Sequence, residues 1–247
     1  VLFGGFLERI FETGNWPPKN YTFWCLSRSV QNVLINLFEL PENSIHVIPR
    51  YQLFPKASHV KSFNLDHDLQ LVYSGRISSQ KNIEMFLAFS VLLQEELKKN
   101  VEVVLLGDWD NHFPKNRGRF IIESYQNHVE NFKKYLNLKN EPLVITNLNH
   151  ENWPSALKDN CLMVNFSTFV CEDYGVSLAQ AQALGVPMFI SKWGGHLDIE
   201  AENVFWIEAR DIGESLTNED TIILKAQYVV NEFLQNRFAS PPINNHK

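Results

Sequence analysis

The sequence predicts an α/β fold with a doubly wound sheet of parallel strands. From residue 71 onward, short apolar runs alternate with segments of helical periodicity, five or six times in about 170 residues. The apolar runs are continuous, as in strands that are buried on both faces of a parallel sheet. Two of these runs, 71–74 and 101–106, end at a glycine, where the chain can turn from a strand toward a helix.

This alternation assigns the elements in order. The predicted strands are 71–74, 101–106, 143–146, 162–166, 188–191 and 204–207. The predicted helices are 82–98, 123–136, 151–158, 176–184 and 219–234. Ser78 or Ser79 is the expected N-cap of the first helix. The helix over 176–184 is expected to end at Gly185, because Pro187 just beyond it adds a strong stop signal.

The first 70 residues are less regular. Two strands and one helix are predicted there: 21–26, 45–48 and 28–38. Ser27 is the expected N-cap of this helix, and the polar stretch over 49–68 indicates a domain boundary. We therefore divide the chain into residues 1–68, a partial N-terminal segment of a second domain, and residues 69–247, the main domain.

Composition excludes several classes of protein. The net charge of the 247 residues is 22 − 28 = −6, which disfavours nucleic-acid binding. Hydrophobic residues at 45% and charged residues at 20% are typical of a globular protein. No apolar run approaches the roughly 18 residues of a transmembrane helix. The three cysteines form no C-x-x-C pair, which disfavours a zinc site and favours a reducing compartment, so we expect a cytoplasmic location.

The loop after strand 71–74 is the first candidate site, because it contains Gly75, Arg76 and Lys81. Ligands of open parallel sheets bind beyond the carboxyl ends of the strands. A guanidinium binds phosphate oxygens in pairs, an ammonium is a compact charge, and a glycine lets the backbone turn tightly. The pattern indicates a phosphate site, with ordinary surface cations as the alternative.

The start of the helix over 176–184 is the second candidate site. Gly175 is expected to open this helix, so that the N–H groups of Val176 and Ser177 point into the crevice and bind an anion such as a diphosphate. Gln180 lies one turn into the helix, on the same side. Glu172 precedes the helix and is placed near whatever extends from the phosphates, although alone it is equally an ordinary charge near a helix start.

Three segments, 71–81, 103–107 and 172–195, resemble the donor-binding domain of the retaining GT-B glycosyltransferases, the "glycosyl transferases group 1" (GT4-like) family. The motifs occur in the family's order and at suitable spacing over residues 21–235. The resemblance implies a Rossmann-like donor domain and a sugar moved from a UDP- or GDP-linked donor to an acceptor hydroxyl. It implies a saccharide or lipid-linked acceptor and no cofactor, and it leaves association with the inner membrane face open.

The resemblance also assigns residue roles. Arg76 and Lys81 are expected to hold the donor diphosphate and Glu172 to contact the donor sugar, which makes these three the implied catalytic residues. Where the family has a second Glu that holds the ribose, this chain has Gln180, a neutral side chain. The implied substrate-binding residues are Gly75, Gly107, Gly175, Val176, Ser177, Gln180, Gly194 and Gly195.

Two alternatives to this interpretation stay open. A noncatalytic nucleotide-binding or partner-binding module that kept the fold is favoured by Gln180 and by the absence of most of an acceptor-binding domain. A related sugar phosphate synthase or phosphorylase would carry the same motifs. Because the chain begins with Val1 rather than Met, we expect it to be part of a longer protein.

Other sequence motifs give weaker indications of function. Asp108-Trp109-Asp110 is a D-x-D sequence, which binds a divalent metal in the GT-A fold, but it is short and common, and we expect no metal site here. His196 follows two glycines and is expected to be a polar loop residue. The absence of G-x-G-x-x-G, P-loop and G-x-S-x-G motifs disfavours dehydrogenases, NTPases and α/β-hydrolases.

Overall fold

The structure is a computed structural model that describes residues 22–48, 61, 63–111, 124–138, 140–148, 152–169, 172, 174–200, 202–213 and 218–238. Its strands are β1 Phe23–Cys25, β2 Ile45–Val47, β3 Leu69–Ser74, β4 Val101–Leu106, β5 Leu143–Ile145, β6 Cys161–Asn165, β7 Met188–Lys192 and β8 Val204–Glu208. Its helices are α1 Arg28–Asn36, α2 Ile83–Leu97, α3 Tyr125–Tyr135, α4 Val176–Ala183, α5 Ala209–Ile212 and α6 Glu219–Phe238.

The main domain is built on one parallel sheet in the order β5-β4-β3-β6-β7-β8. The chain winds outward from β3 to β5, then returns to β6 on the other side of β3 and winds outward to β8. The predicted doubly wound α/β fold is therefore confirmed. The reversal places a crevice beyond the carboxyl ends of β3 and β6, where open sheets of this kind bind ligands.

Each face of the sheet carries its own core, because successive strand residues point to opposite faces. Leu71 and Tyr73 of β3 pack with α2, α3 and α6 on one face. Val72, between them, packs with α4 and Trp153 on the other face. Burial on both faces explains why the strands are continuous apolar runs in the sequence.

The N-terminal segment has the elements that its sequence predicts. β1 and β2 form a two-stranded parallel sheet against α1, and the Ser27 hydroxyl caps this helix by accepting from the N–H of Val30 at 3.2 Å. The N–H of Arg28 donates to the Asp198 carboxylate of the main domain at 2.6 Å. Most of the stretch predicted as a boundary, 49–68, lies outside the described residues, so the division at residue 68 stays a prediction.

Two local predictions are wrong. Neither Ser78 nor Ser79 caps α2: a 3-10 turn at Ser79–Lys81 intervenes, and the helix begins after Asn82, which adopts a left-handed conformation with φ 55°. The Asn82 amide donates to the carbonyls of Phe166 and Gly213, which fixes that conformation. The helix predicted over 151–158 is a shorter 3-10 turn, Trp153–Ala156. Within the described ranges, no helix combines the length and apolar character needed to cross a bilayer.

Candidate functional site

A cavity of about 530 Å³ lies at the carboxyl edge of the sheet, in the crevice between β3 and β6. It brings together most of the residues that the sequence predicts as a site. Those that line it are Gly75, Arg76, Lys81, Gly107, Glu172, Gly175, Val176, Ser177 and Gln180. The predicted Gly194 and Gly195 are not among the lining residues. Residues that the sequence did not suggest also line it, including Leu26, Leu148 and Tyr174.

Close backbone contacts hold the loops after β3, β4 and β5 together. The N–H of Gly75 donates to the carbonyl of Leu106, and the N–H of Gly107 donates to the carbonyl of Ile145, both at 2.9 Å. A Cβ atom on Gly107 would lie 1.9 Å from the carbonyl oxygen of Gly75. Since no side chain fits there, glycine at position 107 allows the two loops to meet and form one wall of the cavity.

Both carboxylates of the D-x-D sequence accept hydrogen bonds from residues of these loops. Asp108 Oδ1 accepts from the N–H of Asn147 at 3.1 Å, and Asp110 Oδ2 accepts from Arg76 Nη1 at 2.8 Å. Backbone hydrogen bonds from Ile77 to Asp108 and from Asp110 back to Ile77 fix the spacing of the two loops. No group of three or more His, Cys, Asp or Glu side chains among the described residues is arranged to hold a metal ion.

Arg76 lies at the lip of the cavity with its side chain 60% exposed. Besides the contact with Asp110, its Nη2 donates to Gln80 Oε1 at 3.3 Å. Its backbone carbonyl accepts from the buried Tyr73 hydroxyl at 2.7 Å. Asp110 and Gln80 therefore orient the guanidinium, and an incoming phosphate would compete with Asp110 for it.

Lys81 and Glu172 meet inside the cavity, although they are far apart in the sequence. Lys81 Nζ donates to Glu172 Oε1 at 2.9 Å and to Oε2 at 2.6 Å. The Ser167 hydroxyl, just past β6, also donates to Oε2, at 2.5 Å. The Glu172 side chain is only 4% exposed and that of Lys81 is 16% exposed. The pair is thus a largely desolvated ion pair with both partners still reaching the cavity.

These contacts keep Glu172 ionised. Burial alone would raise the pKa of the Glu172 carboxyl, but the Lys81 ammonium and the hydrogen bonds from Lys81 and Ser167 outweigh burial and lower the pKa below its ordinary 4.5. A carboxylate offers about four acceptor positions. Lys81 and Ser167 use three of them, so Glu172 retains room for a hydroxyl of a ligand.

Gly194 and Gly195 contact the backbone of Glu172 and do not line the cavity. The N–H of Gly195 donates to the Glu172 carbonyl at 2.9 Å. A Cβ atom on Gly194, where φ is 52°, would lie 2.6 Å from the same carbonyl oxygen. The predicted Gly-Gly loop therefore sets the position of the Glu172 backbone from behind the cavity.

His196 is fully buried, so its prediction as a polar loop residue is wrong. Its Nδ1 lies 3.0 Å from the Ser191 hydroxyl and 3.1 Å from the Ser191 carbonyl, and its Nε2 lies 4.0 Å from Glu172 Oε1. Burial, aided by the charge of Lys81, lowers the pKa of His196 below 6.5 even though Glu172 opposes this. His196 and Ser167 are contacts of Glu172 that sequence reasoning missed; the position of His196 directly after two glycines was the available signal.

The N-terminus of α4 forms another wall of the cavity. Gly175 precedes it with φ 75°, and its carbonyl accepts from the N–H groups of Leu178 and Ala179 at 3.0 and 3.1 Å. The N–H groups of Val176 and Ser177 come before these bonds and so have no partner within the helix. The Ser177 hydroxyl donates to the Ser74 carbonyl at 2.7 Å, which joins α4 to the end of β3.

One family model matches the sequence of this chain. The sequence model of the family described as "Glycosyl transferases group 1" matches residues 56–225. That range includes the loops after β3 and β4, Glu172, and the start of α4, which together form most of the cavity wall. No curated protein sequence matches the chain.

Solved structures share the fold at low sequence identity. A mutant of TarM from S. aureus, in complex with fondaparinux, α-GlcNAc-glycerol and UDP, has a TM-score of 0.58 at 19% identity over 93% of this chain. The pneumococcal O-GlcNAc transferase GtfA, in complex with UDP and GlcNAc, has a TM-score of 0.63 at 15% identity over 96% of this chain. HepE from Anabaena, with UDP and glucose, has a TM-score of 0.54 at 17% identity over 88% of this chain. This chain spans 40%, 42% and 63% of their respective lengths.

Proposed function

The chain belongs to the family of glycosyl transferases group 1, and we propose from this that it forms the donor site of a retaining glycosyltransferase. The enzyme would move a hexosyl-type sugar from a nucleotide-sugar to an acceptor hydroxyl. The observation that carries the proposal is the convergence of Arg76, Lys81, Glu172 and the start of α4 on one cavity at the reversal of the sheet. Two cations and a helix N-terminus suit a diphosphate, and a buried carboxylate suits a sugar hydroxyl.

The diphosphate becomes the leaving group, and negative charge develops on it as the glycosidic bond breaks. Arg76 and Lys81, together with the N–H groups of Val176 and Ser177, would stabilise that charge, and the proposal includes no metal ion. Groups oriented before the reaction need no reorganisation during it, which makes them effective in a partly desolvated cavity. Arg76 would exchange its contact with Asp110 for a phosphate oxygen.

Glu172 would fix the donor sugar. It is ionised, held by Lys81 and Ser167, and retains an acceptor position for a sugar hydroxyl. Gln180, one turn into α4, would bind the ribose through its amide. The UDP present in the three similar structures makes UDP the first nucleotide to test, with GDP as the alternative that the family resemblance includes.

The proposal for the acceptor is supported by fewer residues of this chain than the proposal for the donor. We propose a saccharide or lipid-linked acceptor and a cytoplasmic location, with the inner membrane face as the place where a lipid-linked acceptor would be met. The cysteine pattern supports a reducing compartment. The chain spans less than half of the length of the first two similar structures.

A noncatalytic nucleotide-binding module is the second candidate function. Gln180 favours it, because an amide binds ribose hydroxyls less strongly than a carboxylate does. Both candidates predict nucleotide binding, and they differ in transfer: only an enzyme releases nucleotide from its nucleotide-sugar once an acceptor is supplied.

Isothermal titration calorimetry with UDP, GDP and ADP tests the shared part of the proposal. We expect one of the three to bind, and Arg76→Ala and Lys81→Ala each to weaken that binding tenfold or more, since a hydrogen bond to a charged group contributes about 1.5–3 kcal/mol. Lys192→Ala is the matched control, because Lys192 pairs with Glu208 and lies outside the cavity lining. Failure of all three nucleotides to bind would contradict the proposal.

A further inference from the structure

Glu172 lies between a lysine and a histidine at the back of the cavity. Lys81 contacts both carboxylate oxygens, whereas His196 Nε2 stays 4.0 Å from Oε1. The imidazole is fully buried, and its Nε2 has no hydrogen-bond partner among the described residues. A buried polar atom without a partner costs free energy, so this position calls for an explanation.

Hydrogen bonds around Ser191 define which nitrogen of His196 carries the hydrogen. The Ser191 hydroxyl donates to the Ser167 carbonyl at 2.6 Å, which uses its only hydrogen. The Ser191 carbonyl, 3.1 Å from Nδ1, can only accept. Nδ1 is therefore the donor, and in the neutral ring Nε2 directs a lone pair toward Glu172. Two acceptors thus face each other across 4.0 Å.

A proton on Nε2 would convert this repulsive arrangement into an attractive one. The charged groups that act on the ring are Glu172, which favours the proton, and Lys81, which disfavours it. The neighbours from β7 and from the start of α4, Ser191 and Gly175, do not titrate in this range. While Lys81 contacts both carboxylate oxygens it neutralises Glu172, so the ring stays neutral.

We propose that His196 takes up a proton from solvent when the diphosphate of a nucleotide-sugar engages Lys81, and that the imidazolium then holds Glu172 in place. The proposal rests on the proposed function of the cavity. A diphosphate that shares Lys81 adds negative charge beside Glu172, and the new N–H group of His196 balances it. One N–H bond forms at Nε2, and the O–H or N–H bond of the buffer acid that supplies the proton through solvent breaks. His196 is a positioning residue, since it acts on the sugar through Glu172.

Titration calorimetry in two buffers tests this directly. UDP-glucose, GDP-mannose and ADP-glucose are each titrated at pH 7.5 in HEPES and in Tris, whose ionisation enthalpies differ. These probes are diphosphate diesters and do not titrate near neutral pH, so the difference in binding enthalpy gives the protons that the protein takes up. We expect uptake of a large fraction of one proton, and an affinity that rises as the pH falls, by up to tenfold per pH unit.

His196→Asn should abolish the uptake and make the affinity independent of pH, while His128→Asn, a change at a histidine paired with Glu84 away from the cavity lining, should preserve both. If His196→Asn fails to fold, the wild-type imidazole resonances of ¹³C-labelled histidine report the same event, and His196 should shift to its protonated position on ligand addition.

The outcomes separate this inference from the function on which it rests. Binding without proton uptake overturns the inference and leaves the donor site standing. Uptake that persists in His196→Asn assigns the proton to another group and also overturns it. If none of the three nucleotide-sugars binds, the proposed function fails, and the inference fails with it.

Discussion

At the scale of single residues, Glu172 collects most of the contacts that define the site. It accepts hydrogen bonds from Lys81 and Ser167, its carbonyl accepts from Gly195, and its carboxylate faces His196. Removing any of these neighbours changes the charge or the direction of one carboxylate. The orientation of the Glu172 carboxylate is consequently determined by contacts from the ends of β6 and β7 and from the loop after β3.

A substitution at Gln180 tests the proposed contact of this side chain with the ribose. Gln180→Glu should tighten nucleotide binding severalfold, because a carboxylate makes charge-assisted hydrogen bonds to ribose hydroxyls. Calorimetry with the nucleotide that binds the wild type provides the comparison. Gln126→Glu is the control, since Gln126 is an exposed residue of α3 outside the cavity lining. Unchanged affinity of Gln180→Glu would place the ribose elsewhere.

The sequence predicted which residues surround the cavity better than it predicted their partners. Arg76, Lys81 and Glu172 were expected at strand ends, where the parallel topology brings them to one edge. The pairing of Lys81 with Glu172 and the burial of His196 could not be predicted, since they depend on contacts between segments about 100 residues apart or on the packing of a loop against β7.

At the scale of elements, the loops after β3 and β4 form the least tolerant part of the wall. Gly107→Ala should lower the free energy of unfolding by about 3 kcal/mol or more, because its Cβ would collide with backbone. Gly213→Ala is the contrast: there the Cβ meets the flexible end of Lys225, so the cost should be about 1–3 kcal/mol for a backbone conformation, φ 78° and ψ −170°, that is nearly restricted to glycine. Urea denaturation measures both, and equal losses would contradict the assignment.

The contact between α2 and α3 depends on a buried carboxylate. Glu84, in the first turn of α2, accepts from the buried Tyr125 hydroxyl at 2.7 Å and contacts His128 Nε2 at 3.0 Å. Tyr125→Phe should lower the free energy of unfolding by about 1–3 kcal/mol, because the carboxylate loses a donor that water cannot replace. Tyr135→Phe should cost less than about 0.5 kcal/mol, since its hydroxyl contacts Asp220 at the exposed surface. Equal losses in urea denaturation would indicate that Glu84 is solvated.

The bounds of β4 and the start of α2 show where sequence periodicity predicts an element boundary correctly and where it does not. β4 is found at its predicted bounds, because its mainly apolar run begins after the polar Asn100 and ends at Gly107. The start of α2 differs, because Asn82 is held by the carbonyls of Phe166 and Gly213. Those partners come from distant segments, so the serine pattern misplaced the N-cap.

At the scale of the whole molecule, the site depends on the order of strands. The reversal at β3 places the cations of one half opposite the helix N-terminus of the other half. From the alternation of strands and helices, the sequence predicted a doubly wound parallel sheet with the candidate residues at its strand ends. It could not supply the strand order, because pairing between β3 and β6 joins residues about 90 positions apart.

The stability of the whole molecule should depend on pH through His196. Burial lowers the pKa of its imidazole below 6.5 in the folded state, so the unfolded chain binds a proton that the folded chain does not. The free energy of unfolding should therefore fall as the pH drops below 6.5, and Glu172, with its pKa lowered from 4.5, adds a further loss at lower pH. Urea denaturation between pH 8 and 5 should show a shallower slope for His196→Asn; identical slopes would contradict this.

We expect the cavity between β3 and β6 to bind the diphosphate of a nucleotide. Amide chemical-shift mapping on addition of UDP, with GDP and ADP as further ligands, locates the binding site. The largest shifts should occur at the N–H groups of Gly107, Val176 and Ser177. Shifts centred instead on the cavity of about 360 Å³ at the opposite edge of the sheet, near Asn100 and Leu138, or no shifts with any of the three, would contradict it.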